Sequence, residues 1–216
     1  MSQLLDRVVS AGAAATGAAA TVDGTRKRIL EAALAQFEDF GIRRSTMDEV
    51  ARRAGVSRVT VYRRFPQKER LVEAVVLNEA QRFFAAVEAA VAPHEGVEER
   101  MVEGFAFTLA AARRHVLLNR LLRTEPEMLL PFVTTQGGPV LAAARGFLAA
   151  QMRLAQRHGE LRPLEVEVVA EVVVRLVLSY LLTPDSAAAL RTPAQARRFA
   201  RRYIAPLMTG APLGGE

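Results

Sequence analysis

Four side chains in the short stretch between Gly55 and Pro66 could contact the edges of DNA bases. An arginine can donate two hydrogen bonds to one guanine, a threonine hydroxyl can bond to several bases, and an apolar side chain can contact the methyl group of thymine. On a helix, these four residues point away from the apolar side, so they can reach into a groove. They are Arg58, Val59, Thr60 and Arg63.

A short helix is predicted directly before this stretch. Ser45 or Thr46 can cap its free backbone amides, and Asp48 and Glu49 lie in its first turn, where the positive end of the helix favours acidic groups. Gly55 ends the helix, since glycine adopts a positive φ without steric cost and lets the chain reverse within a few residues.

A second short helix is predicted to carry the four side chains. Ser57 caps it, and Pro66 closes it because a proline disfavours helical geometry in the preceding residue. Val61 and Phe65 form its inner, apolar face. The two helices and the glycine turn together predict a helix-turn-helix motif.

The N-terminal part of the chain carries the excess of basic residues. Residues 25–70 contain 12 Lys or Arg and 6 Asp or Glu, whereas residues 71–216 contain 16 and 15. Neutralisation of nucleic-acid phosphates is the commonest use of such a charge asymmetry.

A helical hairpin in an ordinary bundle is the alternative interpretation of the two-helix motif. For Arg43, Arg44 and Arg64, a solvated surface charge and a contact to the DNA backbone both remain open.

The segment TMDEVARRAGVSRVTVYRRFPQKERL resembles the DNA-binding signature of the tetracycline-repressor (TetR-like) family of bacterial transcriptional regulators. The resemblance covers about 46 residues, from Arg26 to Leu71, and the rest of the chain matches only in length and helicity. Many members have glycine where this chain has Val59, which either touches a thymine methyl group or changes the local fit. The matching residues are Thr46, Ala51, Gly55, Val56, Ser57, Thr60, Tyr62, Phe65, Lys68 and Leu71.

The resemblance implies which residues contact DNA. Arg58, Thr60 and Arg63 would face base edges, beside Val59. The phosphates would be held by Thr46, Tyr62 and Lys68. Hydroxyl groups and a lysine near a helix end suit phosphate oxygens, so the chemistry of these side chains agrees with the assignment.

The fold implied is all-α, with a three-helix DNA-binding domain followed by a helical domain that binds an effector and dimerises. Residues 1–24 are rich in Ala, Gly and Thr and are expected to form a disordered arm, followed by the DNA-binding domain (25–71), the effector and dimerisation domain (72–210) and a flexible tail (211–216). The apolar spacing and the breakers predict about nine helices, with a loose segment over 126–139. Apart from the two motif helices, they cover residues 26–40, 67–91, 97–113, 116–122, 140–158, 164–182 and 193–207.

The helix over 164–182 is apolar on most faces and must be covered. A membrane span is disfavoured because Glu165, Glu167, Glu171 and Arg175 lie within it. We expect instead that one side packs in its own domain and the other forms a symmetric four-helix dimer seam with the helix over 193–207. Glu171 and Arg175, one turn apart, could pair on the surface, across the seam, or around a ligand.

The effector is expected to be an apolar small molecule in a pocket between helices. Plain core packing is the competing interpretation for each of the lining candidates, since aromatic and methionine side chains at helical spacing usually fill a core. The candidates are Phe105, Leu109, Met128, Phe147 and Met152.

The implied function is that of a ligand-responsive, sequence-specific repressor that binds a near-palindromic DNA operator as a homodimer and is released by its effector. A non-specific architectural DNA-binding protein is the alternative. An enzyme is not expected, because His94, His115 and His158 are scattered and no catalytic or phosphate-binding motif occurs.

The amino-acid composition bears on which cofactors the protein could use and on where in the cell it is expected. The chain has no cysteine, which excludes disulfides, zinc fingers and thiol catalysis and suits a reducing cytoplasm. No metal or other cofactor is expected. Asp6 and Arg7 precede a run that is mostly alanine, unlike a secretory signal, so we expect a cytoplasmic protein.

Overall fold

The computed structural model describes residues 23–188 and 190–209, and within them the chain is helical without a strand, which confirms the all-α prediction. The helices are α1 (Asp23–Phe40), α2 (Met47–Ala54), α3 (Arg58–Arg64), α4 (Lys68–Val91), α5 (Val97–Arg114), α6 (Val116–Thr124), α7 (Pro126–Val133), α8 (Gly138–Arg157), α9 (Val166–Leu182), α10 (Pro193–Phe199) and α11 (Ala205–Thr209). A π-helical turn over Ala200–Ile204 joins α10 to α11 without a break.

Helix α7 lies in the segment that was predicted to be loose. Pro126 is its first residue, where a proline has no amide to leave unpaired and already has a helical φ. Pro131 lies inside the helix. The sequence suggested a loose segment because breakers at Pro126 and at Gly137-Gly138-Pro139 bound it. Counting α10, the π turn and α11 as one continuous helix, the described residues form ten helices rather than about nine.

The ends of the described chain differ slightly from the predicted domain limits. Helix α1 begins at Asp23, so the last two residues of the predicted arm are helical. Residues 1–22 and the predicted tail over 211–216 lie outside the described residues.

The described residues pack as two compact units that do not follow the predicted boundary at residue 72. The first, which we call the headpiece unit, contains residues 23–82 and 116–131. The second, the C-terminal unit, contains residues 83–115, 132–188 and 190–209. The headpiece unit therefore includes α6 and most of α7, which the sequence assigned to the other domain.

The core of the headpiece unit is built from five helices and a buried turn. Helices α1 to α3 and the start of α4 contribute Ile29, Phe37, Val50, Val61 and Leu71 among other buried side chains. Leu117 and Leu121, four residues apart on α6, are buried in the same cluster. Helices α1 to α3 thus complete their core with side chains that follow α3 by about fifty residues.

The core of the C-terminal unit lies between α5, α8, α9 and the last continuous helix. Buried Phe105, Leu109 and Met152 meet Ala170 and Ile204 in one apolar cluster. Helix α9 buries Val166, Ala170, Val173 and Val174 but not its whole circumference. No helix among the described residues is both long and apolar enough to cross a membrane.

Candidate nucleic-acid interface

Helix α2 begins with a reciprocal cap. The amide of Glu49 donates to the Thr46 hydroxyl at 3.3 Å, and the amide of Thr46 donates to the Glu49 carboxylate at 2.8 Å. Of the two predicted caps, Thr46 is therefore the one used. Ser45 is buried and donates its hydroxyl to the carbonyl of Gly41 at 2.6 Å, which fixes the preceding turn.

The cap also stabilises a charge at the start of α2. The backbone amide of Thr46, and then its hydroxyl, hold the pKa of Glu49 below its usual range, with smaller contributions from Arg52 and Lys68. The Thr46 hydroxyl contacts the Glu49 carboxylate at 2.8 Å as well. A phosphate at this position would therefore meet a hydroxyl that already has an internal partner.

The glycine turn and the second helix have the predicted geometry. Gly55 has φ +64° and ψ +36°, and its amide donates to the carbonyl of Arg52 at 3.2 Å. Ser57 caps α3 by accepting a hydrogen bond from the amide of Thr60 at 3.2 Å. Val61 and Phe65 are buried against the headpiece core. The inner face of α3 thus packs against the other helices of the headpiece unit.

The outer face of α3 is presented to solvent. Arg58, Val59 and Arg63 are exposed, and Thr60 is half-buried beside the cap. Val59 leaves 73% of its surface exposed. Three of the four residues predicted to contact bases are therefore exposed on α3, and the fourth, Thr60, is partly accessible.

Arg58 is held in place by two neighbours that the sequence did not link to it. Its Nε lies 3.1 Å from Oδ1 of Asp48, and its Nη1 donates to Oδ2 of Asp48 at 3.1 Å. On the other side, its guanidinium carbon lies 5.2 Å from the centre of the Tyr62 ring. The sequence predicts Asp48 only as an acidic group at a helix start, because its spacing of ten residues from Arg58 gives no helical signal.

Lys68 lies at the first position of α4, as predicted for a residue near a helix N-terminus. Its Nζ donates to the carbonyl of Arg43 at 3.1 Å. The contact ties the start of α4 to the turn before α2. An ammonium group has three donors, so a phosphate oxygen can be added to this contact.

The turn before α2 is also held by the junction of α6 and α7. Glu125 is buried, and its Oε2 accepts a hydrogen bond from the amide of Arg43 at 3.3 Å. Glu127 pairs with the guanidinium of Arg43 at 2.9 Å. The contact between Glu125 and Arg43 is not predictable from the sequence, because residues 82 positions apart carry no local signal of their pairing.

The five candidate effector residues do not gather at one place. Phe105, Leu109 and Met152 are buried in the core of the C-terminal unit, and Phe147 stacks on Phe84 with ring centres 4.7 Å apart. Met128 packs against the core of the headpiece unit instead.

Glu171 and Arg175, one turn apart on α9, pair with each other within the chain. Nε of Arg175 donates to Oε1 of Glu171 at 2.9 Å, and Arg145 of α8 donates to Oε2 at 3.0 Å. These two guanidinium groups hold the pKa of Glu171 below its usual range, Arg175 contributing most. Among the described residues, no group of three or more His, Asp or Glu is placed to hold a metal ion.

Comparison with known proteins agrees with the geometry. Residues 29–75 match the profile of the bacterial regulatory proteins of the tetR family, and residues 97–202 match that of the bacterial tetracyclin repressor C-terminal domain. A helix-turn-helix transcriptional regulator of Mycobacterium bovis is 30% identical over 161 residues, which span 74% of this chain and 82% of that protein.

Two further similar proteins share one name. The helix-turn-helix transcriptional regulator AlkX of Mycobacterium tuberculosis is 28% identical over 144 residues, covering 66% of this chain and 67% of that protein. The crystal structure of the TetR family repressor AlkX from Dietzia sp. strain DQ12-45-1b matches with a TM-score of 0.61 at 25% identity, covering 84% of this chain and 93% of that one. With the capped motif, its exposed second helix and both profiles in agreement, the chain belongs to the TetR family of bacterial DNA-binding transcriptional regulators.

Proposed function

We propose that this regulator is a repressor that binds a near-palindromic operator as a homodimer and is released by an apolar small molecule. The observation that carries the proposal is the exposure of Arg58, Val59 and Arg63 on α3, while Val61 and Phe65 are buried in the headpiece core. An exposed helix of this kind can enter a major groove, which is wide enough for it.

Base contacts are assigned to Arg58, Val59, Thr60 and Arg63. Each arginine can bond to O6 and N7 of a guanine, and the exposed Val59 can pack on a thymine methyl group. Because Thr60 Oγ1 lies 2.9 Å from the Ser57 hydroxyl, it would contact a base from a position already restrained by the cap.

Phosphate contacts are assigned to Thr46, Tyr62 and Lys68. All three belong to the headpiece unit and lie at the start of α2, along α3 and at the start of α4. Such contacts fix the orientation of a protein on DNA but carry no sequence information.

The proposed dimer surface includes α9 and the last continuous helix. Val168 and Val172 lie four residues apart on α9 and are exposed, and Tyr203 of the π turn is exposed as well. Exposed apolar side chains at helical spacing favour a helix-to-helix contact with a second copy. A two-fold dimer would place two recognition helices about 34 Å apart, which matches successive major grooves and a near-palindromic site.

The proposed effector contacts Phe105, Leu109, Phe147 and Met152 in the C-terminal unit. The first two and Met152 are packed in the core, so an effector has to displace them from their present contacts. The Dietzia AlkX repressor is implicated in the biodegradation of n-alkanes, which supports an apolar effector for this chain as well. Release requires that the effector bind the DNA-free form more tightly, and DNA must then weaken effector binding by the same factor.

The test begins with selection of bound fragments from the organism's own DNA by the full-length protein, followed by dissociation constants on the selected site and on a scrambled duplex. We expect a preference for the selected site of about 10³-fold or more. A preference near one would reject the proposal and support the architectural alternative. Genes beside the site then suggest compounds, and an effector whose affinity is unchanged by the operator would reject the release mechanism.

A further inference from the structure

The geometry points to Asp48 as a specificity-determining residue that positions Arg58 for base recognition. This inference rests on the proposed function, since it requires Arg58 to contact a base. It differs from that function in assigning a role in sequence preference to an acidic residue that need not touch DNA.

The first observation is the pairing of both carboxylate oxygens. Oδ1 and Oδ2 of Asp48 each contact a different nitrogen of Arg58 at 3.1 Å. A two-point contact of this kind fixes the plane of the guanidinium group, whereas a single contact leaves it free to rotate. The plane matters because a guanine is recognised through two parallel hydrogen bonds.

The second observation is the ring beneath the same guanidinium. Tyr62 follows Arg58 by one turn of α3, and its ring centre lies 5.2 Å from the guanidinium carbon. With the carboxylate at one edge and the ring at one face, nitrogen donors of Arg58 still remain for a base, because the group has five. Arg58 is therefore restrained in the DNA-free chain and still has N–H donors available for a base.

The third observation is the position of the pair. Thr46 and its cap fix the first turn of α2, and Asp48 is in that turn. Arg58 is the first residue of α3, held by the Ser57 cap. Asp48 thus links Arg58, the side chain proposed to contact a base, to α2. That helix is anchored independently in the headpiece core through Val50.

Charge supports a role in selectivity over one in affinity. A carboxylate near the DNA-facing surface repels phosphates, so it weakens binding to every sequence. The Asp48 carboxylate offsets this repulsion only at a site that has the base pair recognised by Arg58, because there the restrained guanidinium loses less rotational freedom on binding. Removing the carboxylate charge should therefore help non-specific binding and harm operator preference.

The test compares Asp48→Asn with Asp39→Asn in the full-length protein. Asp39 forms an ion pair with Arg53 at 2.7 Å and has 51% of its side chain exposed, against 53% for Asp48, so the two changes remove equal charge from similar pairs in the same unit. Affinities are measured on the selected operator, on operators with single base-pair changes and on a scrambled duplex. Thermal unfolding checks that each variant is folded.

We expect Asp48→Asn to lower the ratio of operator to scrambled affinity by about 5-fold or more, within the range that one arginine–guanine contact provides. The loss should occur at the base pair whose discrimination Arg58→Ala also removes, and Asp48→Asn should have no further effect on the ratio in the Arg58→Ala background. Asp39→Asn should leave the ratio unchanged.

Two results would overturn the inference. One is an unchanged or increased ratio in Asp48→Asn, which would mean that the carboxylate merely competes with DNA for Arg58. The other is a loss spread evenly over all base pairs or equal in Asp39→Asn, which would indicate a general charge or stability effect. A wild-type ratio near one is distinct from both, since it rejects the proposed function and this inference together.

Discussion

The carboxylate of Glu125 occupies the space that Gly41 leaves by having no side chain. A Cβ at position 41 would overlap Oε1 of Glu125, and the backbone there has φ +81°. Glu125 is only 6% exposed and accepts a hydrogen bond from the amide of Arg43, so it cannot move aside without losing that partly buried hydrogen bond. The turn that leads into the DNA-binding motif is therefore shaped by a residue from the α6–α7 junction.

Gly41→Ala should destabilise the protein more than Gly55→Ala does. Both glycines have positive φ, but nothing lies within 4 Å of a Cβ built at Gly55. Gly55→Ala should therefore cost only the backbone strain, about 1 kcal/mol, and Gly41→Ala roughly 1 to 3 kcal/mol more. Urea denaturation of the full-length variants measures the difference.

A double-mutant cycle isolates the contribution of Glu125. In a Glu125→Ala background, the cost of Gly41→Ala should fall to that of Gly55→Ala, because the new methyl group no longer meets the carboxylate. An undiminished cost in that background would show that strain alone accounts for the effect.

Arg58→Ala and Lys68→Ala should weaken DNA binding in different ways. Arg58→Ala should relax sequence preference by about 1 to 3 kcal/mol at one base pair. Lys68→Ala should weaken binding to all sequences and reduce the slope of log affinity against log salt by about one. Fluorescence anisotropy at several salt concentrations, on operator and scrambled DNA, separates the two. Equal losses of specific and non-specific affinity in both variants would contradict the assignment.

Glu103→Gln should make the C-terminal unit less stable at neutral pH. Arg197 of α10 bonds to both oxygens of Glu103, at 2.6 and 2.9 Å, and these bonds hold the pKa of Glu103 below its usual range. Since the pKa is lower in the folded than in the unfolded chain, the stabilisation is present above the ordinary glutamate pKa and is lost as the pH falls through the folded value. The expected loss is roughly 1 kcal/mol at pH 7 and should disappear in acid.

Glu99→Gln provides a matched control. Glu99 lies one turn before Glu103 on α5 and pairs with Arg201, one turn after Arg197, but 49% of its side chain is exposed against 15% for Glu103. We expect a change below about 0.5 kcal/mol, because solvent screens an exposed pair. Thermal unfolding across a pH series measures both variants, and equal pH dependence in the two would show that burial of Glu103 is not the cause.

Val172→Glu should weaken self-association. Val172 is 41% exposed on the proposed dimer surface, and Leu154 of α8 has the same exposure. A buried, unpaired carboxylate at the seam should raise the dimer dissociation constant by 10-fold or more, whereas Leu154→Glu should not. Analytical ultracentrifugation measures both, with circular dichroism to confirm folding. Unchanged association in Val172→Glu would place the interface elsewhere.

How far the sequence predicted the structure depends on the range of the interactions. The two motif helices were predicted well because Thr46 and Ser57 accept hydrogen bonds from amides three residues ahead, and Gly55 ends α2 through its own positive φ. The Asp48–Arg58 pair and the Glu125–Gly41 contact were not predicted, since each joins residues from different helices or distant parts of the chain. Helix α7 was missed because prolines that usually end helices are here compatible with one.

The packing of α6 under the motif has a consequence for modular exchange between regulators. Grafting residues 23–82 alone onto another effector domain would remove Leu117 and Leu121 and leave the apolar surface they cover open to water. Such a chimera should aggregate or melt early unless residues 116–131 are transplanted as well. The transferable DNA-binding module of this protein is thus discontinuous in sequence. Hybrid regulators joined after residue 82 would lack the α6 side chains that complete its core.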